Sequence, residues 1–95
     1  MKVRVQYLGF IKNMLNKNED HFELKDGTIL SDLLNKLAEI YGASFRKEVY
    51  EPGVKKIKTG FSVTINGQFI GRVGGLDAKL SDGDHVILMS LMTGG

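Results

Sequence analysis

The chain has no cysteine and a single proline. Without cysteine there is no disulfide, no thiolate metal site and no thiol nucleophile. The absence suits a reducing compartment, and a cytoplasmic location is expected. No apolar run approaches the roughly 20 residues that a membrane-spanning helix needs. The opening Met1-Lys2-Val3-Arg4 runs straight into alternation, so no signal peptide is expected before the fold. Charge of neither sign dominates, since the formal net charge is +2. Lys55-Lys56-Ile57-Lys58 reads as a solvated loop. No aromatic-rich basic stripe marks a nucleic-acid surface. His21 and His85 have no companion at metal-ligand spacing, so no metal site is expected and both read as surface or strand-end residues. Asp82 and Asp84 flank Gly83 as turn residues without the spacing of a calcium loop.

What is present reads as one domain over residues 1–95. A chain of 95 residues buries roughly 60–70% of the surface its unfolded form exposes. That supports one core and leaves no room for a deep active site beside it. Hydrophobic residues at 42% and charged residues at 25% are ordinary for a folded chain.

Val3, Val5 and Tyr7 alternate with Lys2, Arg4 and Gln6, the period of a strand with one buried face. Residues 9–20 form a polar connection whose Phe10, Ile11, Met14 and Leu15 fit one helical turn. A second strand is expected from His21 to Leu24, closing a hairpin with the first. Thr28 is expected to cap a helix with its hydroxyl, with Asp32 near the positive end. Ile29, Leu33, Leu37 and Tyr41 recur at four-residue steps beside Leu30, Leu34 and Ala38, a broad apolar stripe. Gly42 stops that helix in the left-handed conformation. Residues 43–60 read as irregular, with a turn at Pro52-Gly53. Phe61, Val63 and Ile65 alternate as a third strand. Asn66-Gly67 signals a tight hairpin, and Gln68-Phe69-Ile70 returns as a short strand. Gly74 to Asp77 is a bend, Leu80 a core plug, and residues 82–84 a turn into a last strand from His85 to Leu91.

A hairpin, one main helix and further strands predict an α+β fold. Its mixed sheet has four or five strands with the helix across one face. With the last strand parallel to the first at the centre, this is the β-grasp arrangement. Iron–sulfur ferredoxins share it, but the lack of cysteine excludes them. The last strand is apolar on both faces. Val86 and Leu88 are assigned to the core, which leaves Met89 and Leu91 outward, with Phe69 placed beside them.

Three stretches then occur in register: Thr64-Ile65-Asn66-Gly67, Gly74-Gly75-Leu76-Asp77-Ala78-Lys79-Leu80-Ser81-Asp82-Gly83-Asp84-His85-Val86, and the terminal Gly94-Gly95. Together they resemble the sulfur-carrier branch of the ubiquitin-like proteins (the MoaD/ThiS type). The likeness is greatest to the small subunit of molybdopterin synthase and to the small archaeal modifier proteins. It covers essentially the whole chain and is most specific from Thr64 onward.

The resemblance implies a protein that is not catalytic alone. A ubiquitin-activating-type adenylating enzyme would use ATP to adenylate the Gly95 carboxylate. A sulfur donor would then convert it to a thiocarboxylate. The sulfur would pass to a pterin precursor in the large subunit of molybdopterin synthase. No bound cofactor, nucleic acid or membrane is implied. Two alternatives share the same tail: a modifier joined to lysines through Gly95, and a sulfur carrier of the thiamine pathway. Residues 92–95 are expected to be a flexible tail. Gly94 and Gly95 lack a Cβ, so they would thread a narrow partner tunnel where any side chain would clash. Phe69, Met89, Leu91, Met92 and Thr93 are the expected partner contacts, because exposed methionine adapts to more than one partner.

Overall fold

The computed structural model describes residues 1–54 and 56–90. In chain order the elements are β1 (Lys2–Leu8), α1 (Phe10–Leu15), β2 (Glu19–Glu23), α2 (Leu30–Tyr41), α3 (Ala43–Glu48), β3 (Phe61–Ile65), β4 (Gln68–Phe69) and β5 (His85–Ser90). The described strands make a five-stranded sheet in the order β2-β1-β5-β3-β4. β1 and β5 run parallel, and the remaining neighbours are antiparallel. The last strand therefore does lie beside the first at the sheet centre.

The alternation of β1 and β5 decides which face is covered. Val3, Val5, Tyr7, Val86 and Leu88 are buried on one side. Leu30, Leu33, Leu34, Leu37 and Ala38 of α2 belong to the same core cluster. Burying those four leucines contributes on the order of 6–12 kcal/mol before chain entropy is subtracted. Val86 and Leu88 are core residues, as expected, and Leu80 plugs the core with 5% exposure.

The start of α2 differs from expectation. The helix begins at Leu30 with Ile29 at the cap position. The Thr28 hydroxyl instead donates to the Lys25 carbonyl at 2.7 Å. The reason is an extended segment on either side of Ile29. Leu80 N–H donates to the Thr28 carbonyl and Leu30 N–H to the Ala78 carbonyl, around an Ile29–Lys79 bridge. That pairing holds the chain extended for one residue longer than side-chain capping rules suggest. Asp32 does act at the helix start, where its Oδ2 accepts from the Ile29 N–H at 3.1 Å.

Two further boundaries are corrected. Gly42 ends α2, but with φ +75° and ψ −147° it lies outside the left-handed helical region, and the chain enters α3 at once. Residues 43–60 are thus partly helical. They bring Phe45, Val49 and Tyr50 into the core, and Lys58 N–H closes the loop on the Val49 carbonyl at 2.8 Å. β2 starts at Glu19, two residues before the expected strand. α1 is the expected short helix, with Ile11 buried and Phe10 38% exposed.

Asn66 and Gly67 have φ of +53° and +84° and join β3 to β4 in the register Ile65–Gln68. Two positive φ values in a two-residue loop give the twist that paired strands require. The same turn fixes the entry to β5. Asp84 Oδ1 accepts from Asn66 Nδ2, and its Oδ2 accepts from the Ser81 N–H, both at 2.8 Å. Asn66 Oδ1 accepts from the His85 N–H at 2.9 Å. Asp82 accepts from the Lys2 N–H at 2.7 Å. Both aspartates thus shape turns, as their spacing suggested.

Candidate functional site

Sheet register arranges in rows the face turned away from α2. Met89 of β5 stands between Ser62 of β3 and Leu8 of β1. The next row runs Phe69, Thr64, Ile87, Gln6, Glu19 across all five strands. A third row holds His85, Arg4 and His21. Because β1 and β5 are parallel, their C-terminal ends coincide. The face is consequently apolar toward that end, through Leu8, Ile87 and Met89, and polar toward the other.

Exposure follows the same division. Phe69 is 56% exposed, whereas Leu8, Ile87 and Met89 are half-buried. The polar groups largely satisfy one another. Arg4 Nε lies 3.2 Å from Glu19 Oε2, and His21 Nε2 lies 2.7 Å from the same oxygen. His85 Nε2 pairs with Gln6 Oε1 at 3.0 Å. Both histidines therefore have ordinary surface partners. A surface depression of about 560 Å³ at this polar end is lined in part by Lys2, Arg4, His21 and Glu23. Among the described residues, no three His, Asp or Glu side chains are placed to share a metal ion. No described helix is long and apolar enough to cross a membrane.

Shifted proton affinities point elsewhere, to the covered side of the sheet. Asp20 Oδ2 accepts from Tyr7 Oη at 2.7 Å and also from Tyr41 Oη. Lys17 Nζ sits 3.0 Å from Asp20 Oδ1. Burial, with Asp20 beside it, pushes the Tyr7 phenol far up and the Tyr41 phenol up to about 12. Burial raises the Asp20 carboxyl, but the two phenols and the Lys17 ammonium outweigh it and hold it below its ordinary value. Perturbed groups often mark active sites. Here they tie β1, β2 and α2 together, with Tyr7 fully buried, and form a structural clasp.

Of the expected partner contacts, the structure places Met89 and Phe69 on one face but not side by side. Thr64 and Ile87 stand between them in the register. Leu91, Met92, Thr93, Gly94 and Gly95 lie outside the described residues. Leu8 is the member of the face that sequence reasoning missed. It continues the outward series Lys2, Arg4, Gln6, and its apolar character at the end of that series was the available signal.

A mixed five-stranded sheet in this order, with one main helix across one face, is the ubiquitin-like β-grasp fold. Residues 5–95 match the model of the ThiS family, and the chain belongs to that family of ubiquitin-like sulfur carriers and modifiers. No curated protein matches it by sequence. The chain is similar in structure to Urm1 from Trypanosoma brucei, with 24% identity, a TM-score of 0.81, and 99% of this chain and 95% of that one covered. SAMP1 from Haloferax volcanii gives 15% identity and a TM-score of 0.78, with both chains covered completely. A protein assigned as molybdopterin converting factor, subunit 1, from Pyrococcus furiosus gives 24% identity and a TM-score of 0.75, with 97% of this chain and 99% of that one covered. At these identities the likeness establishes the fold.

Proposed function

We infer that the chain is a sulfur carrier that works as the small subunit of a molybdopterin synthase, with the Gly95 carboxylate as its reactive group. The observation that carries the reading is the family match, which runs through residue 95. The pathway rests on the resemblance of residues 64–95 to the synthase subunit. In the first step a Gly95 carboxylate oxygen attacks the α-phosphorus of ATP and pyrophosphate leaves. This turns a poor acyl electrophile into an acyl phosphate with a good leaving group. A sulfur donor then forms the C–S bond, and AMP departs with the electron pair of the broken C–O bond. The thiocarboxylate supplies its sulfur in the large subunit's active site. The carrier contributes a reactive end and a docking face, while the catalytic side chains belong to its partners.

The docking face in this reading is the apolar half-face of Leu8, Ile87 and Met89, with Phe69 at its edge and Leu91, Met92 and Thr93 continuing from it in sequence. Carrier chemistry needs two successive partners, the adenylating enzyme and the synthase large subunit. A methionine-bearing patch suits that, because its unbranched side chain repacks against different surfaces.

The test is incubation with ATP, the adenylating enzyme and a sulfur donor, followed by intact-protein mass spectrometry. One oxygen should be replaced by one sulfur, and the change should map to the C-terminal peptide. If Gly95 is activated but yields only lysine-linked adducts, the protein is a modifier and the sulfur-carrier reading fails.

A further inference from the structure

We propose that Ser90 is a positioning residue which, with Gly9, fixes the root of the C-terminal segment and so the direction in which Gly95 is presented for adenylation. The inference rests on the carrier reading above.

Ser90 is the last residue of β5 and follows the inward series Val86, Leu88. A third apolar residue would extend the core at this position, yet a hydroxyl stands there. Its Oγ accepts a hydrogen bond from the Phe10 N–H, 80 positions away in sequence. It also lies 3.5 Å from the Leu8 carbonyl, toward which it donates. Phe10 opens α1, and the first N–H groups of a helix have no partner inside it. Gly9 at the α1 cap position supplies no side-chain acceptor. Ser90 therefore does for α1 what a capping side chain normally does, from the end of another element.

Gly9 supports the same reading independently. Its φ of +79° favours glycine, and a Cβ built there would overlap Ser90 Oγ and lie 3.0 Å from the Ser90 carbonyl oxygen. The corner between β1 and α1 thus approaches the end of β5 more closely than any side-chain-bearing residue permits. On its other flank Ser90 is in register with Phe61 of β3. The end of the central strand is clamped from both sides at the residue where the last five begin.

The geometry sets the expected size of the effect. Five residues reach at most about 17 Å, so a pivot of about 10° at the root would move the far end by about 3 Å. Misplacement of a reacting group by about 1 Å can lower a rate by a factor on the order of 100. A partial misplacement of this kind leaves an expected loss of about tenfold.

The experiment measures ATP–pyrophosphate exchange by the adenylating enzyme with wild type, Ser90→Ala and Ser90→Thr, alongside melting temperature and amide exchange at Phe10. Ser90→Ala should expose the Phe10 amide, leave KM for the carrier unchanged and lower kcat about tenfold. Ser90→Thr keeps the hydroxyl and should recover most of kcat. If Ser90→Ala melts below the assay temperature, Ser90→Val is compared with Ser90→Thr, since the pair differ in the hydroxyl and hardly in shape. Wild-type kcat in a folded variant without the hydroxyl overturns the proposal. So does a fall in melting temperature with unchanged kcat, which would make Ser90 merely structural. Wild-type protein that supports no exchange overturns the carrier reading itself, and this inference with it.

Discussion

Tyr7→Phe isolates one bond of the clasp on Asp20. It removes the hydroxyl that donates to Asp20 Oδ2 at 2.7 Å while keeping the ring, which meets Tyr41 edge-on with centroids 6.1 Å apart. Asp20 retains Tyr41 and Lys17, so no charge is orphaned. A hydrogen bond to a charged acceptor contributes about 1.5–3 kcal/mol, and the remaining partners argue for the lower half of that range. For a chain of this size, about 2 kcal/mol corresponds to roughly 8–16 °C in melting temperature. Asp20→Asn should also destabilise the fold at neutral pH, because both phenols lose a charged acceptor. The pH dependence follows from the depressed Asp20 value. A carboxyl held below its unfolded value contributes stability above about pH 3.9, and that stability is lost as pH falls through the lower folded value. The gap between wild type and Asp20→Asn should therefore narrow in acid. Tyr41 has the opposite sign. With its phenol raised to about 12, its contribution is complete below about pH 10 and lost as pH rises toward the folded value. Circular-dichroism melts across the acid and alkaline ranges test each limb. Shifts below about 2 °C at neutral pH for both Tyr7→Phe and Asp20→Asn would refute the clasp as a source of stability.

The reactive end and its platform make separate predictions. Deleting Gly95, or adding one residue after it, should leave the melting temperature unchanged and abolish ATP–pyrophosphate exchange, as read by radiolabel incorporation; normal exchange by either variant would remove the carboxylate from the mechanism. Met89→Arg should weaken binding to the adenylating enzyme about thirtyfold, from a loss of about 2 kcal/mol at a buried contact, with little change in melting temperature. Leu88→Ala, on the other face of the same strand, should instead cost about 2–5 kcal/mol in denaturant unfolding and act on binding only through stability.

Legibility in the sequence followed the strength of local signals. β1, α2 and β3 were readable because each keeps one period long enough to count, and Asn66-Gly67 because its turn chemistry has few other uses. The parallel pairing of β1 with β5 followed from topology rather than from any single residue. α3 was missed because six residues hold less than two helical turns, too few to set Phe45, Val49 and Tyr50 into a visible period. The entry to α2 was misplaced because a bridge to residues 78–80 overrode the capping preference of Thr28. The face of Met89 was placed correctly by counting alternate positions forward from the Asp-Gly-Asp turn, with Val86 and Leu88 inward. Ile87 shares the face by the same alternation and Leu8 ends the outward series of β1, but the meeting of Leu8 with Met89 depends on strand order and register, which no local pattern encodes. The contact of Gly9 with Ser90 joins residues at opposite ends of the chain and has no sequence signature at all.

In the proposed reading, the docking face lies on β5 and the reactive end follows it in sequence, and this placement has a physical reason. A central strand is hydrogen-bonded along both edges, here to β1 and to β3, and such strands open only with the whole fold. An edge strand such as β4, two residues long, could not hold a direction as firmly. Met89 faces outward one residue before Ser90, so any partner that docks on it engages the chain within six residues of Gly95. Six residues span at most about 22 Å. Docking on this face would therefore keep the carboxylate within that span of the bound partner. The buried Val86 and Leu88 hold the register of the strand. A slip of one residue in that register would exchange the two faces, burying Met89 and exposing Leu88. In the proposed reading, the same alternation that builds the core thus also sets where a partner would sit and how far the reactive end would have to reach.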